Sequence, residues 1–375
     1  MKQQLRGKEL FLVGVTLFSM FFGAGNLIFP PFVGYQAGSV SLPAFLGMAL
    51  TAVCFPVLGV VAVAKVGGTD RLCSKIHPSF AIVFTILVYL CIGPMLAIPR
   101  TASTSYSMFA FLTARFDGMT LVGIPMDWVL RAAFSLVFFI GAYHLAKRPA
   151  RFKDILGKWM TPVLLLMIVV MFVAGLFCLK DVPAAPQEAY VSGAFMKGFV
   201  EGYNTMDTLA AIVFGIVIAL NVQACGVTER KAVARSIMKA GVIAGVFLFT
   251  VYGLLAWLGA RGSAVLAQAA DGTAVLSGLC LQFFGPVGAL LLAAIFFVAC
   301  FNVCTGLLSS CAAFFHEKFP RFSFIRWLQA FLTLLYPVAI AIIVINLLPF
   351  AWAQKPVVHR AVTVLAFAVS IWSMF

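Results

Sequence analysis

Nine stretches of this chain are apolar for the length that a helix needs to cross a bilayer, and this repetition constrains the fold more than any other feature. About 30 Å of hydrocarbon takes about 20 residues at 1.5 Å of rise each. The stretches cover residues 10–33, 41–64, 80–112, 128–146, 159–179, 198–223, 237–259, 284–313 and 327–350. A tenth, 361–375, is shorter, and reads as a short helix or as one that continues past Phe375. The chain is 63% hydrophobic and 10% charged, against about a quarter charged for a soluble domain. That excludes a soluble, a disordered and a collagen-like chain. The fold class expected is an all-α polytopic membrane protein of about 10 transmembrane helices, forming one transmembrane domain over 1–375.

The charges orient these spans. With the N-terminus inside, Lys2, Arg6 and Lys8 lie inside, followed by Lys65, Arg71 and Lys75, then Lys147, Arg148, Arg151, Lys153 and Lys158. Arg230, Lys231, Arg235, Lys239, Lys318, Arg321 and Arg326 fall on the same side, whereas the opposite side has Arg115, Lys180, Arg261, Lys355 and Arg360. The bias predicts a cytoplasmic N-terminus and an even number of crossings, because one missed span would invert every later loop. It also accounts for the net charge of +14 without a nucleic-acid partner. The 9 cysteines form no Cys-x-x-Cys pair and the 4 histidines fall at helix ends or in loops. They read as buried thiols and boundary residues, not as a transition-metal site. No cofactor and no cleavable signal are expected.

Three places depart from plain apolar helix. The first span contains Phe22-Gly23-Ala24-Gly25-Asn26 and then Pro30-Pro31. Glycine and asparagine form helices poorly and proline removes an amide donor. Close helix packing through small residues explains Gly23 and Gly25, and Asn26 less well. The reading is therefore a helix broken in mid-membrane, which survives only where protein or a water-filled cavity satisfies the free backbone. The sixth span contains Glu201-Gly202-Tyr203-Asn204-Thr205-Met206-Asp207-Thr208. Glu201 lies near the surface, but Asp207 falls near half depth, where an acid costs roughly 2.5–3.5 kcal/mol and commonly faces a cavity. The two breaks occupy corresponding places in two sets of five helices, about 10–179 and 197–375. Five is odd, so the sets insert with opposite orientation, and matched interruptions in inverted repeats point to a transporter site. A half-helix N-terminus offers free N–H groups to a carboxylate, and a C-terminus offers carbonyls to Na⁺ or an ammonium. That chemistry fits an amino acid.

The third span reads Gly93-Pro94 through Pro99-Arg100-Thr101 and should bend. Arg100 is read as a gating or structural residue, with pairing to Asp207 or contact with inner-side water left as alternatives. The eighth span contains Ala299-Cys300-Phe301-Asn302-Val303-Cys304-Thr305-Gly306. Its oxygen-bearing side chains suit a hard cation such as Na⁺. Back-bonding of Thr305 to its own helix is the competing explanation.

These segments resemble the branched-chain amino acid:cation symporter family of bacteria. Phe22-Gly23-Ala24-Gly25-Asn26-Leu27-Ile28-Phe29-Pro30-Pro31 is similar to its first-helix signature, Gly93-Pro94 through Arg100-Thr101-Ala102 to its third, and Gly198 through Tyr203 with Thr205-Met206-Asp207-Thr208-Leu209 to its sixth. The resemblance implies a secondary active transporter, not an enzyme. It implies symport of leucine, isoleucine and valine with Na⁺ as coupling ion, through the five-plus-five inverted-repeat fold in a bacterial inner membrane. It implies that Gly23, Ala24, Gly25 and Asn26 frame the substrate carboxylate. Tyr203, Asn204, Thr205 and Asp207 would line the other side. Phe22, through its carbonyl, would hold a cation together with Ala299, Asn302 and Thr305. Asn204, Asn302-Val303 and Ser107 depart from the usual family residues, and those at 204 and 302–303 bear on substrate range and cation choice. The alternatives are H⁺-coupled or uncoupled transport of another small apolar substrate, with Asp207 as proton carrier, and a non-transporting sensor-like relative. A membrane enzyme would need paired acids or a histidine-rich motif, and a channel a continuous polar stripe; the sequence has neither.

Overall fold

The computed structural model describes residues 5–318 apart from 96, 114–115, 117, 122–123, 147–158 and 267. The expected ninth and tenth spans, 327–350 and 361–375, lie outside the described residues, as does the end of the second repeat. Among the described residues the regular structure is helical, apart from a short antiparallel pair of Thr120–Leu121 with Ile124–Pro125. Seven helical stretches are long and apolar enough to cross a membrane. The first eight expected spans all have helical counterparts; two of them are absent from that set as whole helices because they are interrupted.

The first span is α1 (Gly7–Phe21) and α2 (Ala24–Ala37). The break falls at Phe22 and Gly23, both in extended conformations. The prolines are not the break: Pro30 and Pro31 sit inside α2, where they leave the carbonyls four residues earlier, on Asn26 and Leu27, without helical donors. The second span is α3 (Ser41–Ala49) and α4 (Phe55–Val66), joined through a π-turn at Leu50–Cys54. A short α5 (Thr69–Cys73) follows. The third is α6 (Pro78–Leu90), a π-turn at Cys91–Met95 with non-helical Gly93, and α7 (Ala97–Thr113). The bend expected at Gly93-Pro94 is this π-turn. The fourth and fifth are α8 (Met126–Ala146) and α9 (Thr161–Cys178).

After a single helical turn, α10 (Glu188–Val191), the sixth span comprises α11 (Ala194–Tyr203) and α12 (Asp207–Ala224). The seventh, α13 (Arg230–Gly262), is longer than its apolar stretch. Arg230, Lys231, Arg235 and Lys239, expected in a loop, occupy its first turns, because Glu229 starts the helix before the apolar run begins. Lys318 likewise ends α15 (Pro286–Lys318), the eighth span. Between them lies α14 (Gly272–Phe284), capped by Asp271, whose carboxylate accepts from the Ala274 amide at 2.9 Å. At 13 residues it is too short for a spanning pattern, and the sequence did not announce it.

Two buried half-helices, α1 and α2, pack on α13, and α7, α12 and α15 close around them. Large exposed apolar residues such as Leu58, Val137, Leu166 and Phe177 point outward, as side chains facing lipid do. Lipid tails are as apolar as these side chains, so helix association depends on close fit. The α2–α13 crossing shows this. A Cβ on Gly34 would collide with the Ala256 carbonyl, and one on Gly259 with the Pro31 carbonyl. We expect Gly259→Ala to lower the thermal unfolding midpoint in detergent by several degrees, from about 1–3 kcal/mol of overpacking strain. Gly193→Ala, which has open space, should leave it unchanged. Equal midpoints would mean that the crossing tolerates a wider spacing.

Candidate substrate site

The two interruptions face each other. At the first, Asn26 folds its side chain back across the break: its Oδ1 accepts from the Gly23 amide at 2.8 Å. Its Nδ2 donates to Asp207 Oδ2 at 2.5 Å and also to the Tyr252 hydroxyl. Tyr252, on α13, donates to the same Asp207 oxygen at 2.9 Å. Asn26, Asp207 and Tyr252 are all buried. Asp207 opens α12, where a negative charge is favoured by the helix dipole. The turn before it passes through Met206 at φ 61°, a left-handed conformation that no other described non-glycine residue adopts. Such a conformation costs energy and persists only where surrounding contacts hold it. Here Thr205 donates to the Gly202 carbonyl at 2.9 Å.

A cleft of about 520 Å³, including the part open to solvent, lies between these ends. Gly23, Ala24, Gly25 and Asn26 line it from the first break, Thr205 and Asp207 from the sixth span, and Arg100 from α7. Its apolar wall includes Met20, Ile92, Ala210, Phe214 and Val303. Gly23 is tightly enclosed, since a Cβ there would lie 2.8 Å from Val303 Cγ2 on α15.

Tyr203 and Asn204, grouped with these residues on sequence, do not line the cleft in this structure. Tyr203 is half-exposed and packs edge-on against Phe199, ring centroids 5.4 Å apart. The Asn204 amide donates to Glu201 Oε2 at 2.8 Å. Tyr203 ends α11 and Asn204 is its C-cap, and adjacency to a break does not set the direction of a side chain. The alternative of an Arg100–Asp207 ion pair is also absent: none joins these two described residues, whereas Lys197 pairs with Glu201 and Arg131 with Asp127.

The four residues expected at a cation are buried and lie beside this cleft rather than on it. Phe22, with ψ 92°, turns its carbonyl out of the helical direction. Asn302 is fully buried, and among the described residues neither its Oδ1 nor its Nδ2 has a hydrogen-bond partner. Such an orphan calls for a water or an ion. Thr305 donates to the carbonyls of Phe301 at 3.0 Å and Asn302 at 2.8 Å, so its hydroxyl proton is committed to its own helix. Ala299 offers only backbone. Tyr252 was missed on sequence, because one tyrosine in an apolar run looks like packing.

A buried polar network joining two helix breaks around an apolar cleft defines a membrane transport protein of the discontinuous-helix class. The fold is similar to that of MhsT in its crystal structure with L-phenylalanine, with a TM-score of 0.57 at 14% identity, covering 100% of this chain and 88% of that one. The family model described as Branched-chain amino acid transport protein matches residues 6–331. Branched-chain amino acid permease BraB of Bacillus subtilis (strain 168) is 36% identical over 386 residues, covering 96% of this chain and 84% of that protein. The branched-chain amino acid transport system 2 carrier protein of Pseudomonas aeruginosa is 37% identical over 389 residues, covering 98% and 87%. This chain belongs to the branched-chain amino acid transport protein family.

The network makes a specific demand on Tyr252. Tyr252→Phe removes one of the two side-chain donors to Asp207 Oδ2 and leaves the ring. We expect uptake to fall at least about tenfold, the scale of a hydrogen bond to a charged group, with a normal elution profile in detergent. Tyr203→Phe should stay within about twofold. Reversed results would move the site to the outer turn of α11.

Proposed function

We propose that this chain imports leucine, isoleucine and valine by Na⁺ symport through alternating access, across a bacterial cytoplasmic membrane with its N-terminus inside. The observation that carries the reading is the apolar cleft between two opposed helix ends. The N-terminus of α2 presents free amides, suited to an α-carboxylate. The C-terminus of α11 and the Asp207 carboxylate present acceptors, suited to an α-ammonium. The wall between them is aliphatic and aromatic, so a charged substrate side chain would enter it unpaired. The branched-chain transport named for the two relatives supports this substrate class, and so does the apolar amino acid crystallised with MhsT.

Sodium coupling is supported by the orphaned Asn302 side chain and the turned-out Phe22 carbonyl beside the first break. Both offer oxygen to a hard cation, and Ala299 adds a backbone carbonyl. Asp207 supports a second reading. It is a buried carboxylate with no ion-pair partner among the described residues, and a proton is the other cation such a group takes. The alternation of basic residues supports the orientation.

Uptake of labelled leucine into proteoliposomes separates these readings. An inward Na⁺ gradient should accelerate saturable uptake; isoleucine and valine should compete, and lysine and glutamate should not. Uptake that follows an imposed pH gradient and ignores Na⁺ would replace symport with Na⁺ by symport with H⁺. Asn302→Ala should raise the Na⁺ concentration for half-maximal uptake while changing leucine affinity less at saturating Na⁺. An unaltered Na⁺ response would remove Asn302 from the cation site.

A further inference from the structure

The cleft contains a cation with no anionic partner among the described residues. Arg100 lies on the first turn of α7, just after the π-turn at Cys91–Met95 that redirects the third span. Its Nη2 is 3.4 Å from the position a Cβ on Gly25 would take, and the Thr205 Cα is 3.5 Å from that same position. Its Cζ lies 5.9 Å from the centroid of the Phe29 ring, also on α2. The guanidinium therefore sits where the two breaks meet.

Arg100 is half-buried, yet its guanidinium makes no hydrogen bond or ion pair with a described residue. A guanidinium carries five donors and stays charged at any accessible pH. Enclosed without an anion, it is costly. The cleft's own carboxylate does not supply that anion, because Asp207 is held by Asn26 and Tyr252 and lies beyond ion-pair distance.

We propose that Arg100 binds the substrate's α-carboxylate directly, beside the free amides of α2, and makes the cleft selective for α-amino acids over the corresponding amines. The arrangement faces the zwitterion with the Arg100 guanidinium for the carboxylate and the Asp207 carboxyl oxygens for the ammonium. This rests on the reading that the cleft takes apolar amino acids.

The test is equilibrium binding of L-leucine and of L-leucinol, which has a hydroxymethyl group in place of the carboxylate, to the purified full chain. Wild type should bind leucine more tightly than leucinol. Arg100→Gln should weaken leucine about 10- to 100-fold, the scale of a charge-assisted hydrogen bond. Its leucinol affinity should be unchanged or tighter. Arg100→Lys, which keeps the charge and loses the planar fork, should fall between, and it carries the test if melting curves show that Arg100→Gln is unfolded. Retained leucine affinity in Arg100→Gln, or equal losses for both ligands in a folded variant, would overturn the assignment and leave the transport reading standing. Failure of wild type to bind leucine would overturn the transport reading, and this assignment with it.

Discussion

The structure turns on one side chain that satisfies two broken helices at once. Inside a membrane an interrupted helix exposes amides and carbonyls that lipid cannot satisfy. Asn26 answers this with a carbonyl toward its own break, at Gly23, and an amide toward the other, at Asp207. Tyr252 reaches in from α13 to share the Asp207 oxygen. Half-satisfied networks of this kind are worse than an apolar core. The tie therefore fixes the relative positions of the half-helices, and the cleft between them is a consequence.

The rest of the fold holds that tie in place. The crossing of α2 on α13 brings Tyr252 within reach of Asn26, and it is close because Gly34 and Gly259 present no side chain to the opposing backbone. On the other side, Val303 of α15 presses against Gly23, one residue after Asn302. Phe22 and Asn302, the residues proposed for a cation, are the sequence neighbours of this Gly23–Val303 contact.

Much of this was legible in the sequence. Span lengths follow from bilayer thickness, and Gly23, Gly25, Asn26 and Asp207 marked the breaks because they are costly residues in a spanning helix. Other parts were hidden for definable reasons. Tyr252 has the same sequence signature whether its hydroxyl is structural or merely packed. Tyr203 and Asn204 adjoin the second break, but the direction in which α11 ends turns them away. Thr305 and Asn302 were both candidate cation ligands; only the fold distinguishes a hydroxyl bonded to its own helix from an amide with no partner among the described residues.

The most direct test of the tie is a double-mutant cycle on thermal stability with Asn26→Ala, Asp207→Asn and their combination in the purified chain. If Asn26 and Asp207 act as one unit across the two breaks, the double variant should be little worse than the more damaging single variant, with a coupling of about 1 kcal/mol or more. Additive losses would contradict the account: the two breaks would then be held independently, and the cleft would not depend on the contact between them.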